Sequence, residues 1–352
     1  MTRASRRGAA AAAAVGAAAA LFWSRFLLGN LVFYARDLGA FFAPLRAALR
    51  QVVASGAAPV WNPYLGSGVP LAADPNNAAF FPATLLFAGL PVSAALRASY
   101  ALWIFALPLL AYAGFRALRL SRSASAAGSL AAAFCGPVLA ATAWPSSAWT
   151  IAAFLPLAGL ASRASALSSR RAAIAGAVVF ALAILAGEPA IAFQALVIAA
   201  VFSAGGGVKK SLAVFIGLVG TGALLAAPQV VAALELLPRT ARGAGIAFRQ
   251  TVGFYSVRPL RVVGFLWPGV FGDVQSPQAW GFWGRAFFDG GLPYIASLSI
   301  GAATLALLPA AARSRAGRRF LLVAAIALVL SLGRFLPGGE AALALPGRSL
   351  FR

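Results

Sequence analysis

Residues 98–115, ASYALWIFALPLLAYAGF, carry no charge over 18 positions, and Arg116, Arg119 and Arg122 follow directly. A run of that length suits a helix crossing a hydrocarbon core of about 30 Å. Basic residues at one end mark the side that stays in the cytoplasm. The same unit, an apolar run flanked by Arg or Lys, recurs along the chain. An Ala-rich N-terminal run continues through Phe26-Leu27-Leu28, and further runs cover 124–142, 148–162, 172–187, 189–204, 211–236, 292–311 and 319–335. The fold expected is an all-α polytopic membrane protein of about nine transmembrane helices. Several runs hold only about 15–17 residues, which calls for local bilayer thinning or interfacial flanks.

Composition excludes the main alternatives. The 352 residues are 61% hydrophobic and 10% charged, with a mean hydropathy of +0.87. A soluble domain would need far more polar surface to cover its core. The net charge of +22 would suggest nucleic acid in a soluble protein. Here the basic residues sit in short clusters between apolar runs, so membrane lipids are the expected partner and nucleic acid is not. The chain has no histidine, which removes His-based catalysis and His metal ligands. A single cysteine, Cys135, permits no internal disulfide.

Charge segregation sets the orientation. Arg3, Arg6 and Arg7, the Arg116, Arg163, Lys209 and Arg313 clusters, and no acid, fall in the loops assigned to the cytoplasm. All seven acids (Asp37, Asp74, Glu188, Glu235, Asp273, Asp289 and Glu340) fall on the other side. The N-terminus is expected inside, with the first run read as an uncleaved span. Reading it as a signal peptide would also send the next segment outside. The expected location is a bacterial inner membrane with the active face extracytoplasmic. The chain reads as a single transmembrane domain, 1–352, with two long outer segments at about 30–97 and 238–291. Connections of that length are usually functional.

The first outer segment opens on Tyr34-Ala35-Arg36-Asp37. A carboxylate just beyond a first span can accept a proton or bind a divalent cation. Residues 39–53 are expected to form an interfacial amphipathic helix, with Arg46 and Arg50 sharing its polar face. Pro59-Val60-Trp61-Asn62-Pro63 and Gly66-Ser67-Gly68-Val69-Pro70 impose turns, so 59–77 is expected to be an ordered loop over the bundle. The second outer segment interleaves Arg239, Arg242, Arg249, Arg258, Arg261 and Arg285 with aromatics including Phe248, Phe254, Tyr255, Trp267, Trp280 and Trp283. Guanidinium forks suit phosphate, and aromatic faces suit sugar rings or the interface. Plainer readings stand beside these. Asp37 can cap a helix or pair with Arg36, Asp74 and Asp273 can serve turns, and Trp144 and Trp149 can anchor at the interface. Glu188 falls in a Gly-Glu-Pro turn between two short runs and should face water or a basic partner.

Taken together, Asp37, Phe41-Phe42-Ala43-Pro44-Leu45-Arg46, Trp61-Asn62-Pro63, Gly66-Ser67-Gly68-Val69-Pro70 and Phe81-Pro82 resemble the YfhO-type bacterial membrane proteins, commonly grouped with glycosyltransferases of the GT-C architecture. Trp149 with Leu155-Pro156, Gly187-Glu188-Pro189 and Trp267-Pro268-Gly269-Val270-Phe271-Gly272-Asp273 add to the resemblance. Such proteins are usually longer, where this chain stops at Pro346-Gly347-Arg348-Ser349-Leu350-Phe351-Arg352, so the resemblance implies a truncated product. The resemblance implies transfer of a sugar from a polyprenyl-phosphate-linked donor to an acceptor outside the cytoplasm. Asp37 and Glu188 are then the catalytic candidates, and Arg36, Trp61, Asn62, Arg258, Arg261 and Asp273 the substrate-binding ones. A divalent cation is the cofactor such a site admits, although Asp37 lacks the adjacent acid of many relatives. The alternatives are a transporter or flippase of lipid-linked sugars and a non-catalytic membrane protein.

Overall fold

The structure is a computed structural model that describes residues 3–33, 36–204, 207–240, 256–274, 279–288, 293 and 295–337. Tyr34, Arg242, Phe248, Arg249, Phe254, Tyr255, Asp289 and Glu340 lie outside the described residues. The described chain is predominantly helical, and its strands are two residues each. Among the described residues, three helices are long and apolar enough to cross a membrane: Val92–Ala117, Pro145–Leu167 and Val208–Leu225. A fourth candidate joins Arg122–Ala133 to Gly136–Ala143 across a break.

The helices follow the apolar runs, with three corrections: of the run 292–311, only Ala302–Ala311 is helical among the described residues. The run 211–236 is not one span: it forms Val208–Leu225 and Ala227–Leu236, broken at Ala226. Pro228, near the start of the second helix, has no N–H to continue the first. The run 124–142 likewise breaks at Phe134–Cys135, just before Gly136-Pro137.

The chain divides into two compact units, one of residues 1–133 and 141–236, the other of 134–140 and 237–352. In the first, Arg3–Phe22 packs on Val92–Ala117 and Arg122–Ala133, while Phe154–Leu167 packs on Val92–Ala117 and Pro189–Ser203. Arg170–Leu185 lies along Val208–Leu225. Small residues make these approaches possible. A Cβ on Gly114 would collide with the Leu155 backbone, and one on Gly159 would lie 2.5 Å from the Gly114 carbonyl. Leu157, Ala161, Phe180, Ala195, Ala199 and Leu218 form the buried core beside that crossing. Buried polar side chains tie helices together: Trp103 donates its indole N–H to the Ala148 carbonyl at 2.8 Å, and the Ser165 and Ser211 hydroxyls meet at 3.1 Å.

The first long loop is ordered and packed on this unit, as its Pro and Gly residues predict. Trp61–Asn62 pairs antiparallel with Val69–Pro70, and Leu71, Ala72, Asn77 and Ala78 are buried. Gln229, itself buried, donates to the Ala72 carbonyl at 2.8 Å. Residues 38–54 are helical, a π turn over Leu38–Phe42 followed by an α-helix over Ala43–Ala54. The expected polar face is corrected here: Leu45, Leu49 and Val52 are buried in the protein, and so is Arg46, at 4% exposure.

In the second unit, the Gly136 N–H donates to the Ser299 carbonyl and Val257 N–H to that of Ser331. Phe271 packs against Trp283, Phe287 and Phe288. Ala302–Ala311 and Arg315–Ser331 are its longer helices.

Candidate functional site

Asp37 stands where the chain turns into the Leu38–Phe42 helix, with an exposed side chain that makes no capping bond. Its Oδ2 instead accepts the indole N–H of Trp144 at 2.7 Å. Arg36 adopts φ 57°, a left-handed conformation that is uncommon for a residue with a Cβ. Its guanidinium carbon lies 5.0 Å from the centre of the Trp144 ring. Consecutive residues thus hold one tryptophan in two ways, Arg36 over its face and Asp37 at its N–H. Trp144 is buried at 5% exposure, so the interfacial-anchor reading of this residue is corrected. Trp149 also faces inward, donating to Ser99 Oγ at 3.2 Å and lying 5.2 Å from Phe81.

Glu188 reaches the same segment. Its Oε2 accepts a long hydrogen bond from Ser147 Oγ at 3.4 Å. Trp144 and Ser147 are three residues apart at the start of the Pro145–Ile151 helix, so one short segment contacts both candidate catalytic carboxylates. Glu188 is placed by Gly187, whose φ of 97° suits glycine and whose Cα meets the Pro75 carbonyl too closely to admit a Cβ.

The other candidates are engaged locally. Asp74 Oδ1 accepts from the Asn76 backbone N–H at 3.0 Å, the turn chemistry its neighbour Pro75 predicts. Asn62 is buried and its Oδ1 accepts from Tyr64 N–H at 2.9 Å, so it shapes its own turn. Trp61 is 49% exposed on the hairpin. In the second unit, Arg261 donates to the Ile295 carbonyl at 2.9 Å and lies 4.7 Å from the Phe288 ring. Burial lowers its pKa from the ordinary arginine value. Arg258 lies 5.7 Å from the Phe335 ring, and the exposed Asp273 donates its backbone N–H to the Gly281 carbonyl.

No cluster of three or more His, Cys, Asp or Glu side chains is present among the described residues. Asp37 offers one carboxylate, with one oxygen already bonded to Trp144. That donor set does not match a divalent cation that takes about six oxygen ligands. The arrangement is suited to holding a carboxylate, exposed and oriented, for proton transfer.

Sequence reading missed Trp144, Ser147 and Arg46. The signal for the first two was the polar Ser146-Ser147 pair directly after Trp144-Pro145, between two apolar runs. No protein-family model matches the chain, and neither a curated protein nor a solved structure does.

Proposed function

We propose that this chain is a GT-C-like membrane glycosyltransferase of the YfhO type, acting on a polyprenyl-phosphate-linked sugar at the extracytoplasmic face. The reading takes the nine-span topology with a cytoplasmic N-terminus, which places Asp37 just outside the membrane. Its main support is the 2.7 Å bond that holds the exposed Asp37 carboxylate against Trp144. Asp37 accepts the proton of the acceptor hydroxyl as its oxygen bonds to the sugar's anomeric carbon. The bond from that carbon to the lipid phosphate breaks, and polyprenyl phosphate departs with the electron pair. Arg36 is the cation assigned to that phosphate, Trp61 binds the sugar or acceptor, and Glu188 is the second carboxylate.

The test is a transfer assay with the purified chain in liposomes and a radiolabelled polyprenyl-phosphate sugar. Asp37→Asn keeps size and hydrogen bonding but cannot accept the proton. It should lower the rate by about 10²–10⁴-fold with donor binding retained. Near-normal transfer by Asp37→Asn removes the base from the mechanism. Lipid-sugar translocation without any transfer replaces the enzyme reading with a flippase.

A further inference from the structure

Four stretches of the first unit meet around Ser146. Trp144, two residues before it, holds Asp37, and Ser147, one after it, reaches Glu188. Ser146 Oγ lies 3.3 Å from where a Cβ on Gly187 would stand, and Gly187 in turn abuts the Pro75 carbonyl. Arg46, from the Ala43–Ala54 helix, completes the junction by donating from Nη2 to the Asn76 carbonyl at 3.3 Å. Arg46 and Ser146 line one cavity of about 20 Å³, with Ser99 and Tyr100 also on its wall. Arg46 is 4% exposed and Ser146 2%, and Arg46 Nη1 and Ser146 Oγ are both buried without a hydrogen-bond partner.

Two unmet polar atoms beside one space are costly if that space is dry. A water molecule needs about 10–15 Å³ and two to four polar partners, so the cavity has room for one. The rest of the wall is mostly apolar, Phe81, Phe87, Leu96 and Ala186 included, and offers an ion little else to bind. Asp74 already acts on the Arg46 charge, so balancing it calls for no further anion. Water fits the atoms as well as the volume. It accepts from the guanidinium, exchanges a hydrogen bond with the Ser146 hydroxyl, and finds acceptor lone pairs on Ser99 and Tyr100. We propose that one buried water bridges Arg46 Nη1 to Ser146 Oγ, making Arg46 and Ser146 positioning residues for Asp37 and Glu188. The bridge braces the 144–147 segment against the Ala43–Ala54 helix, and both carboxylates depend on that segment for their hydrogen bonds. The positioning role rests on the transfer reading; the bridge itself does not.

The experiment therefore reads the bridge without substrate. Amide hydrogen exchange is followed by mass spectrometry on the purified full chain in nanodiscs. Ser146→Ala and Arg46→Met should each speed exchange across 147–151 and 188–192 by about 2–10-fold, the loss of about one net hydrogen bond. The double variant should lose no more than either single one, because both remove the same bridge. Arg46→Lys keeps a donor for the water and should restore most of the protection. If Arg46→Met does not fold, Ser146→Ala and its combination with Arg46→Lys carry the test. In the transfer assay, Ser146→Ala should lower kcat and leave KM near wild type, with Arg46→Lys closer to wild type than Arg46→Met. A wild-type chain without transfer overturns the positioning role, while exchange still decides the bridge. Unchanged exchange in both single variants, or additive effects in the double variant, overturns the bridge. A wild-type melting temperature that falls when chloride is replaced by gluconate, with no such fall in Arg46→Met, overturns it in favour of a bound anion.

Discussion

Trp144 donates its indole N–H to Asp37 Oδ2 across 2.7 Å, joining positions 107 residues apart. The bond links the turn into the Leu38–Phe42 helix to the entry of the apolar Pro145–Ile151 helix in the first unit. Its two ends are unequal, because Trp144 is buried and Asp37 is exposed.

That inequality predicts an order of stabilities. Asp37→Ala strands a buried N–H and should cost about 1–3 kcal/mol. Trp144→Phe removes the donor while water reaches the carboxylate, so its hydrogen-bond loss should be nearer 1 kcal/mol. Asp37→Asn keeps an acceptor and should stay close to wild type. Thermal melts of the three variants in one detergent check the order, and a tie between Asp37→Ala and Asp37→Asn would deny the bond any structural weight.

Gly114 and Gly159 sit where two apolar helices touch, and Gly217 has no neighbour within 4 Å of where a Cβ would be. Gly114→Ala or Gly159→Ala should therefore destabilise the fold by about 1–3 kcal/mol through overpacking. Gly217→Ala, in an exposed helix interior, should instead gain about 0.5–1 kcal/mol from helix propensity. The opposite signs are read from melting temperatures of the single variants.

Topology is tested by cysteine labelling in intact cells, in a Cys135→Ala background. Ser67, Ser123 and Ser314 are all exposed in the structure, so accessibility to the reagent depends on the side of the membrane. Ser67→Cys should react with an impermeant maleimide, whereas Ser123→Cys and Ser314→Cys should react only after permeabilisation. Labelling of Ser314→Cys from outside would reverse the orientation. Ser276, an equivalent outer position, lies outside the described residues.

Arg46 makes a pH prediction of its own. Burial lowers its pKa from the ordinary arginine value to about 10, so near neutral pH it is charged in both the folded and unfolded chain. Below about pH 10 the folded state carries the whole burial cost of that charge; above it, up to the ordinary arginine value, the unfolded state binds more protons, and stability rises with pH. At pH 7.5, Arg46→Met should melt at or above the wild-type temperature. The rise contributed by Arg46 between pH 10 and 11.5 should disappear in that variant.

Helix positions were legible because apolar runs and their basic flanks are local properties of the chain. The breaks at Ala226 and Phe134–Cys135 were less so, since Pro and Gly within an apolar run are compatible with both a kink and a stop. Asp37 stood out by its place just after the first apolar run. Its partner was not, because Trp144 reads equally as an interfacial aromatic, and only the packing of distant segments decides between the two. Arg46 shows the same limit. Spacing pairs it with Arg50 on a helix face, but the loop through Asn76 and Phe87 covers Arg46 and leaves Arg50 to bond the Leu90 carbonyl near the surface.

The contact between Gly187 and the Pro75 carbonyl ties two stretches of sequence to a common fate. Position 187 is closed to other residues twice, by its backbone conformation and by the carbonyl against its Cα. Length changes in the loop around Pro75 are therefore tolerable only where they leave Pro75 in place, as at the exposed hairpin tip around Tyr64 and Leu65. Among descendants of this sequence, that tip is where insertions should accumulate, while the interval from Leu71 to Ala78 should keep its length.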